Sequence, residues 1–297
     1  MMAGAAIRML WLARVATCLL VASGLFLTMP EGATAADKPQ RIVSLNLCTD
    51  LLAIKLADRS RIKSVSFLAA EPASSPLTKE ARGLTLNHGL AEEILPLKPD
   101  IVLAGTYGAR YTVGLLRRLG HRVVELPLAS KISDVPKHIR LIAKVLGEQA
   151  RGEVLIARFK TRLEAVAKPP PGQRPLAVLF GANGITSGAN NLQNAAITAA
   201  GFDNLAEQRG IQGVGWVTLE TVAHSRPDAL ILGRLGVEYV SLATETLSHP
   251  ALARSVPKGA VIALPHHLWT CATDTLAEAI ERLATFRAGL SLQKGHK

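Results

Sequence analysis

The stretch Glu92-Glu93-Ile94-Leu95-Pro96-Leu97-Lys98-Pro99-Asp100-Ile101-Val102-Leu103-Ala104-Gly105 is laid over a later one, Glu220-Thr221-Val222-Ala223-His224-Ser225-Arg226-Pro227-Asp228-Ala229-Leu230-Ile231-Leu232-Gly233. In each, a Glu stands eight positions ahead of the Asp of a Pro-Asp pair, and an apolar run follows that closes on Gly. Proline lacks an N–H and disfavours helix in the residue before it, so it halts a short helix that carries the Glu on an exposed face. The Asp then turns the chain into a strand buried on both sides. Pro-Asp ahead of a strand is common by itself. Two copies with Glu at equal spacing predict two similar lobes.

Working outward, the same alternation recurs around each copy. Arg41 to Leu45, Ile101 to Gly105 and Arg122 to Leu126 read as strands, with helices at Thr49 to Ala57 and Thr112 to Leu119. Later, Ala177 to Phe180, Ala229 to Leu232 and Val261 to Leu264 read as strands, with helices at Asn191 to Ala200 and Thr275 to Leu290. Each group ends on Leu-Pro, at Leu126-Pro127 and Leu264-Pro265. Strands alternating with helices imply βαβ units and parallel sheets.

Between the groups lies a helical segment, Ser133 to Ala167. Ser133 or Asp134 caps its start and Pro136 suits its first turn. Ile139, Ile142, Val145 and Leu146 form one stripe, Gly147 interrupts, and Val154, Leu155, Phe159, Leu163 and Val166 form a second over about 20 residues, roughly 30 Å. The expected fold is a mixed α/β protein of two Rossmann-like lobes, each with a central parallel sheet, joined by a single long α-helix. The boundaries are 1–36 for a leader, 37–132 for the N-terminal lobe, 133–168 for the helical linker and 169–297 for the C-terminal lobe. A stiff crossover leaves the lobes little relative motion. Ligand then sits in the cleft between them, outside the carboxyl ends of the strands.

The leader reads as a cleavable secretory signal. Arg8 and Arg14 precede an uncharged apolar stretch from Val15 to Met29, and Ala33-Thr34-Ala35-Ala36 follows as a small-residue site. Cleavage falls after Ala35 or Ala36. The stretch is shorter than the roughly 20 residues a spanning helix needs. Cys18 lacks the Gly, Ala or Ser that a lipidation signal places before it, because Thr17 stands there. Export puts the mature chain in the periplasm. The formal charge of +11 becomes +10 once Arg8, Arg14 and Glu31 are removed. That balance raises nucleic acid as a partner, but export and the even spread of basic residues argue against it and favour a solvated basic surface. Cys48 and Cys271 remain, 223 positions apart. They form either a disulfide, as an oxidising compartment favours, or two buried thiols. A metal site with His88, His266 or His267 has no supporting spacing.

With this layout the chain resembles the periplasmic binding proteins for vitamin B12, ferric siderophores and heme, whose lobes are joined by a backbone helix. The resemblance runs from about Arg41 to about Leu290 and is most specific at Arg41-Ile42-Val43-Ser44-Leu45-Asn46 and at Glu92 to Gly105. It implies a solute-binding component of an ABC importer that captures a metal chelate, a ferric siderophore or a corrinoid. The alternatives are heme or a bare metal ion in the same architecture. It further implies that Glu92 and Glu220 meet arginines of a permease dimer, whose ATPase supplies the transport energy. The binding protein would be a monomer with no cofactor of its own and no membrane insertion of the mature chain.

The expected pocket is lined by loops after the strands. Asn46, Thr49, His88, Tyr107 and Arg110 come from the first lobe; Asn183, Trp216, Arg234, His267 and Trp269 come from the second. Tyr107, Trp216 and Trp269 offer flat apolar faces, while Arg110 and Arg234 pair with carboxylates or phenolates of a chelate. Against this, a Trp is more often core and an Arg more often surface. For heme, one of His88, His266 and His267 is a candidate axial ligand; the alternative for each is a hydrogen-bonded structural histidine. An aromatic content of 4% gives no cue for heme and is low for a corrinoid pocket.

The rival is an exported enzyme. No G-x-S-x-G elbow exists, Glu153 stands where a phosphate loop needs Lys, and Gly213-Val214-Gly215 lacks the third glycine of a dinucleotide loop. A Cys48 nucleophile with His88 is the one catalytic arrangement left open.

Overall fold

The structure is a computed structural model and describes residues 38–169, 172, 174–234 and 242–294. The leader reading at 1–36 and the side chain of Arg234 lie outside the described residues.

Two parallel sheets form within the unit that begins at Pro39. The first contains β1 (Ile42–Ser44), β2 (Ile62–Ser66), β3 (Thr85–Asn87), β4 (Ile101–Gly105) and β5 (Val123–Leu126), in the order β3-β2-β1-β4-β5. The second contains β6 (Leu176–Phe180), β8 (Asp203–Asn204), β10 (Ala229–Arg234) and β11 (Val261–Pro265), in the order β11-β10-β6-β8. In register, Ile42 lies opposite Ile101 in one sheet and Ala177 opposite Ala229 in the other. The apolar runs of β1, β4, β6 and β10 are buried as central strands of parallel sheets must be. The fold is therefore α/β with two parallel-sheet lobes. One segment expected as a loop is not one: β9 (Val214–Trp216) pairs antiparallel with β7 (Ile185–Ser187).

The repeated corners match in conformation. Glu92 is the second residue of α2 (Ala91–Ile94), and Glu220 is the second residue of α7 (Leu219–Ser225). Each corner then passes through a left-handed residue directly before its proline, Lys98 at φ 44° and Arg226 at φ 44°. The Asp does more than turn the chain. Asp100 Oδ2 accepts the backbone N–H of Gln40 at 2.7 Å and of Arg41 at 2.9 Å, and Asp228 Oδ2 accepts that of Leu176 at 2.9 Å. Each Asp thus caps the start of the central strand beside its own.

The crossover is a pair of helices, not one. α4 (Asp134–Leu146) ends at Gly147, whose φ of 72° provides the left-handed cap, and α5 (Gln149–Glu164) follows with 16 residues, about 24 Å. At its start, Arg151 donates to Leu56 O (3.0 Å) and pairs with Asp58 (2.8 Å), both at the end of α1 (Leu47–Leu56). Toward its other end, Arg162 makes two bonds to Glu281 on α8 (Leu276–Lys294) at 2.8 and 2.6 Å. Beneath it the core is continuous: Ile42 and Leu103, then Ile139, Ile156 and Phe159, then Phe180 and Leu283, belong to one buried apolar cluster. Where α4 gives way to α5, Arg61 and Glu148 pair at 2.5 Å with both side chains 5% exposed. Arg61 also donates to Pro39 O and Leu146 O, which satisfies the buried charge.

Candidate functional site

The carboxyl ends of the strands carry the candidates. After β1, Asn46 caps α1, its Oδ1 accepting from Cys48 N at 3.0 Å. Its side chain packs so close to Gly105 that a Cβ there would lie 2.9 Å from Asn46 Nδ2, so the turns after β1 and β4 are held in contact. Thr49 is fully buried, bonded to Ser44 Oγ at 2.7 Å and donating to Asn46 O at 2.8 Å. This corrects its reading as a pocket residue: its hydroxyl is used up inside the lobe. Beside it, Asp50 is buried and accepts from Ser66 N and Ser66 Oγ. Burial pushes its carboxyl up to about 7, against the opposing hydrogen bonds from Ser44 and Ser66.

His88 follows β3 and remains exposed. Its ring stacks on Phe67 with centroids 5.1 Å apart, and its Nδ1 lies 3.0 Å from Glu93 Oε1. Those hydrogen bonds hold the Glu93 carboxyl below its ordinary range. Thr112 Oγ1 donates to Gly89 O at 2.7 Å, which fastens this loop to α3 (Arg110–Arg118) after β4. Tyr107 is 73% exposed, and Arg110 is exposed at the first position of α3. Sequence reading missed Phe67 and Tyr111, the latter 97% exposed. Their signal was position alone, Phe67 directly after β2 and Tyr111 at the second position of α3. Leu90 and Leu128 add exposed apolar surface at the same ends.

On the second lobe, Trp216 is 67% exposed and sits opposite Ile185 across the β7–β9 pair, with Ile185 and Val214 exposed as well. Asn183 is exposed and left-handed, at φ 54°. Trp269 is 0% exposed with its Nε1 unbonded, so it is a core residue and not a pocket wall. The turn at 266–268 carries the indole inward, where its bulk fills the lobe. His266 and His267 are half-buried, and burial holds both below the ordinary histidine range. The backbone of Pro72 and Ala73 in the first lobe lies near the His267 ring and partly offsets that burial.

Two ties join the lobes near it. Cys48 and Cys271 form a disulfide, Cα–Cα 5.2 Å, and Lys55 Nζ meets Asp274 Oδ1 at 2.5 Å. A sulfur held in a disulfide has no thiolate to attack with, which removes the Cys48 nucleophile. Among the described residues, no three His, Cys, Asp or Glu side chains come together as a bare metal ion requires, and no helix is long and apolar enough to cross a membrane.

Two hollows on the described surface are not lined by the exposed aromatic residues. One of about 540 Å³ is lined by Arg226, Pro227, Asp228 and Arg254 at the amino end of β10. Another of about 420 Å³ is lined by Lys131, Asn190, Asn191 and Glu207, between the chain leading into α4 and the start of α6 (Leu192–Ala199). We place the site by the strand ends, because both hollows are open depressions and neither collects the exposed aromatic faces.

The sequence profile of the periplasmic binding protein family matches residues 42–265, and the chain belongs to that family. Within it, the chain is 28% identical over 215 residues to the cobalamin-binding protein of Halobacterium salinarum, an alignment that covers 69% of this chain. The chain spans 58% of the length of that relative. It superposes on the periplasmic heme-binding protein RhuT from Roseiflexus sp. RS-1 with a TM-score of 0.71 at 24% identity, over 84% of this chain and 98% of that one. With the periplasmic vitamin B12-binding protein BtuF of Vibrio cholerae the TM-score is 0.64 at 18% identity, over 86% and 98%. These structural likenesses show the fold.

Proposed function

We propose that this chain is the solute-binding component of an ABC importer, taking a metal chelate between its lobes and delivering it to a permease dimer. The observation that carries this reading is the set of exposed aromatic faces, Phe67, Tyr107 and Tyr111 following strands of the first sheet and Trp216 on the β7–β9 pair of the second lobe. Exposed aromatic faces gathered in one region mark a ligand or partner site, whereas singly scattered ones do not. Arg110 stands beside them to pair with an anionic group. The names of the similar proteins, a cobalamin binder and a heme binder, support a flat metal chelate as cargo.

Delivery would use Glu92 and Glu220, both exposed and both second in a short helix. Their pairing with permease arginines gives orientation more than affinity. In this reading the leader is removed after Ala35 or Ala36, the domains divide at 37–132, 133–168 and 169–297, and the mature periplasmic chain acts as a monomer.

The test is tryptophan fluorescence titrated with a ferric hydroxamate, a ferric catecholate, cyanocobalamin and hemin. Saturable quenching by one of them supports the reading. A folded protein that answers none of them overturns it for these chelates. Charge reversal of both Glu92 and Glu220 should leave that titration unchanged and abolish uptake; intact uptake would remove their docking role.

A further inference from the structure

The two repeated corners share a second feature besides their glutamates. Six positions after Glu92 stands Lys98, and six positions after Glu220 stands Arg226. Both are exposed, and both take the left-handed conformation at φ 44°. Glycine adopts that conformation without strain, yet each lobe keeps a long cation there. The corners themselves are fastened by backbone groups. In the first lobe, Lys98 N donates to Leu95 O at 3.1 Å, and the Arg41 guanidinium donates to Leu97 O and Lys98 O. In the second, Arg226 N donates to Val222 O at 3.2 Å. Among the described residues, neither the Lys98 ammonium nor the Arg226 guanidinium has a hydrogen-bond or ion-pair partner. Backbone strain held at matching positions, with no use for the side chains inside the fold, points to a use outside it.

The second-lobe copy also has a recess. Arg226 lines the hollow of about 540 Å³ together with Arg254, the last residue of the short helix Pro250–Arg254. Arg254 likewise has no partner among the described residues. Asp228 lines the hollow too, with its Oδ2 bonded to Leu176 N. So does Ala223, three positions after Glu220 on α7, and residues three apart are neighbours on a helix surface. The recess therefore reaches the helix that presents Glu220. It offers two guanidiniums to a carboxylate, the group their planar fork matches.

We propose that Lys98 and Arg226 are a second pair of docking residues, each meeting a carboxylate of the permease dimer. The inference rests on the docking reading of Glu92 and Glu220 above and adds to it a contact of opposite sign. Six positions span on the order of 10 Å at the rise of a helix, so each corner becomes a two-point plug. A partner surface of one sign is attracted at one point and repelled at the other, and paired signs thereby set register and reject wrong partners. Because the corner recurs once in each lobe, a two-fold permease dimer can present the same arginine and carboxylate to both.

The experiment measures binding of the mature protein to its permease–ATPase complex in nanodiscs of phosphatidylethanolamine and phosphatidylglycerol, with empty nanodiscs beside it. Lys98→Gln/Arg226→Gln removes the charges and keeps most of each stem. Lys98→Gly/Arg226→Gly removes both and relieves the backbone. Each should bind the complex roughly tenfold more weakly, with the chelate titration unchanged. Lys98→Arg/Arg226→Lys should bind like wild type. Melting curves on each variant separate lost docking from lost folding. Wild-type affinity in the charge-neutral variants, with docking lost on charge reversal of Glu92 and Glu220, would overturn the role of the cations and leave that of the glutamates standing. Wild-type affinity in all of them would overturn the docking reading as well. Equal capture by empty nanodiscs, lost in the charge-neutral variants, would assign the cations to anionic lipid and overturn the permease contact.

Discussion

Lys98 and Arg226 occupy the same left-handed conformation, with φ 44° in both and ψ of 60° and 59°, each directly before a Pro-Asp. Neither is glycine, and a side chain in this region costs about 1 kcal/mol. Lys98→Gly and Arg226→Gly should therefore each raise stability by up to about 1 kcal/mol, a gain of a few degrees in Tm. Calorimetry reads this directly. A fall in Tm for both would show that the lysine and arginine stems contribute packing that outweighs the backbone relief.

The disulfide closes a loop of 223 residues. Chain entropy alone assigns such a crosslink about 5 kcal/mol. The Cys48→Ala/Cys271→Ala protein should unfold at lower denaturant concentration and melt more than about 10 °C lower. If its midpoint stays within a degree or two of wild type, the remaining ties and the shared core hold the lobes without it.

Asp50 supplies the pH dependence. Its folded pKa of about 7 lies above the ordinary 3.8, so the folded state keeps a proton that the unfolded chain gives up. That contribution is fully present below about pH 4, declines as pH rises toward 7, and is lost above it. The decline is on the order of 4 kcal/mol. Asp50→Asn should flatten it, so that the wild-type melting temperature falls relative to the variant between pH 4.5 and 7.5. Parallel melting curves across that range would reject the assignment.

The two described tryptophans differ sharply, Trp216 at 67% exposed and Trp269 at 0%. Acrylamide should quench roughly the share of emission owed to Trp216, and Trp216→Phe should abolish the response to bound chelate. Trp269→Phe should keep that response. A ligand response that survives in Trp216→Phe would move the site off the β7–β9 pair.

The repeated corners were legible because proline, glycine and a spaced glutamate leave a mark that needs no tertiary context. β2 and β3 were not, and the reason is chemical. Ser64, Ser66 and Asn87 are buried there, so the strands lack an apolar run. Their polarity is satisfied internally: Asn87 Nδ2 donates to Ser44 O and Ser64 Oγ, and Ser66 bonds Asp50. Trp269 failed in the opposite sense. It follows a strand as a pocket residue should, but the direction of a side chain after a tight turn is set by packing that no local pattern records. Tyr111 and Phe67 went unnoticed for the same reason, since exposure is a property of the assembled surface.

The core that runs unbroken beneath α5, stapled again by Cys48–Cys271 and Lys55–Asp274, has a mechanical meaning for recognition. Jaws fastened by both a spine and a rivet behave as a fixed-gap gauge, not a clamp. If ligand enters between the lobes as proposed, a molecule of the right thickness would meet both faces at once, whereas one that is too thin would touch a single face and one that is too thick would be refused. Selectivity in such a device is a matter of dimension before it is one of chemistry, and widening the gap falls to whatever grips the two jaws from outside.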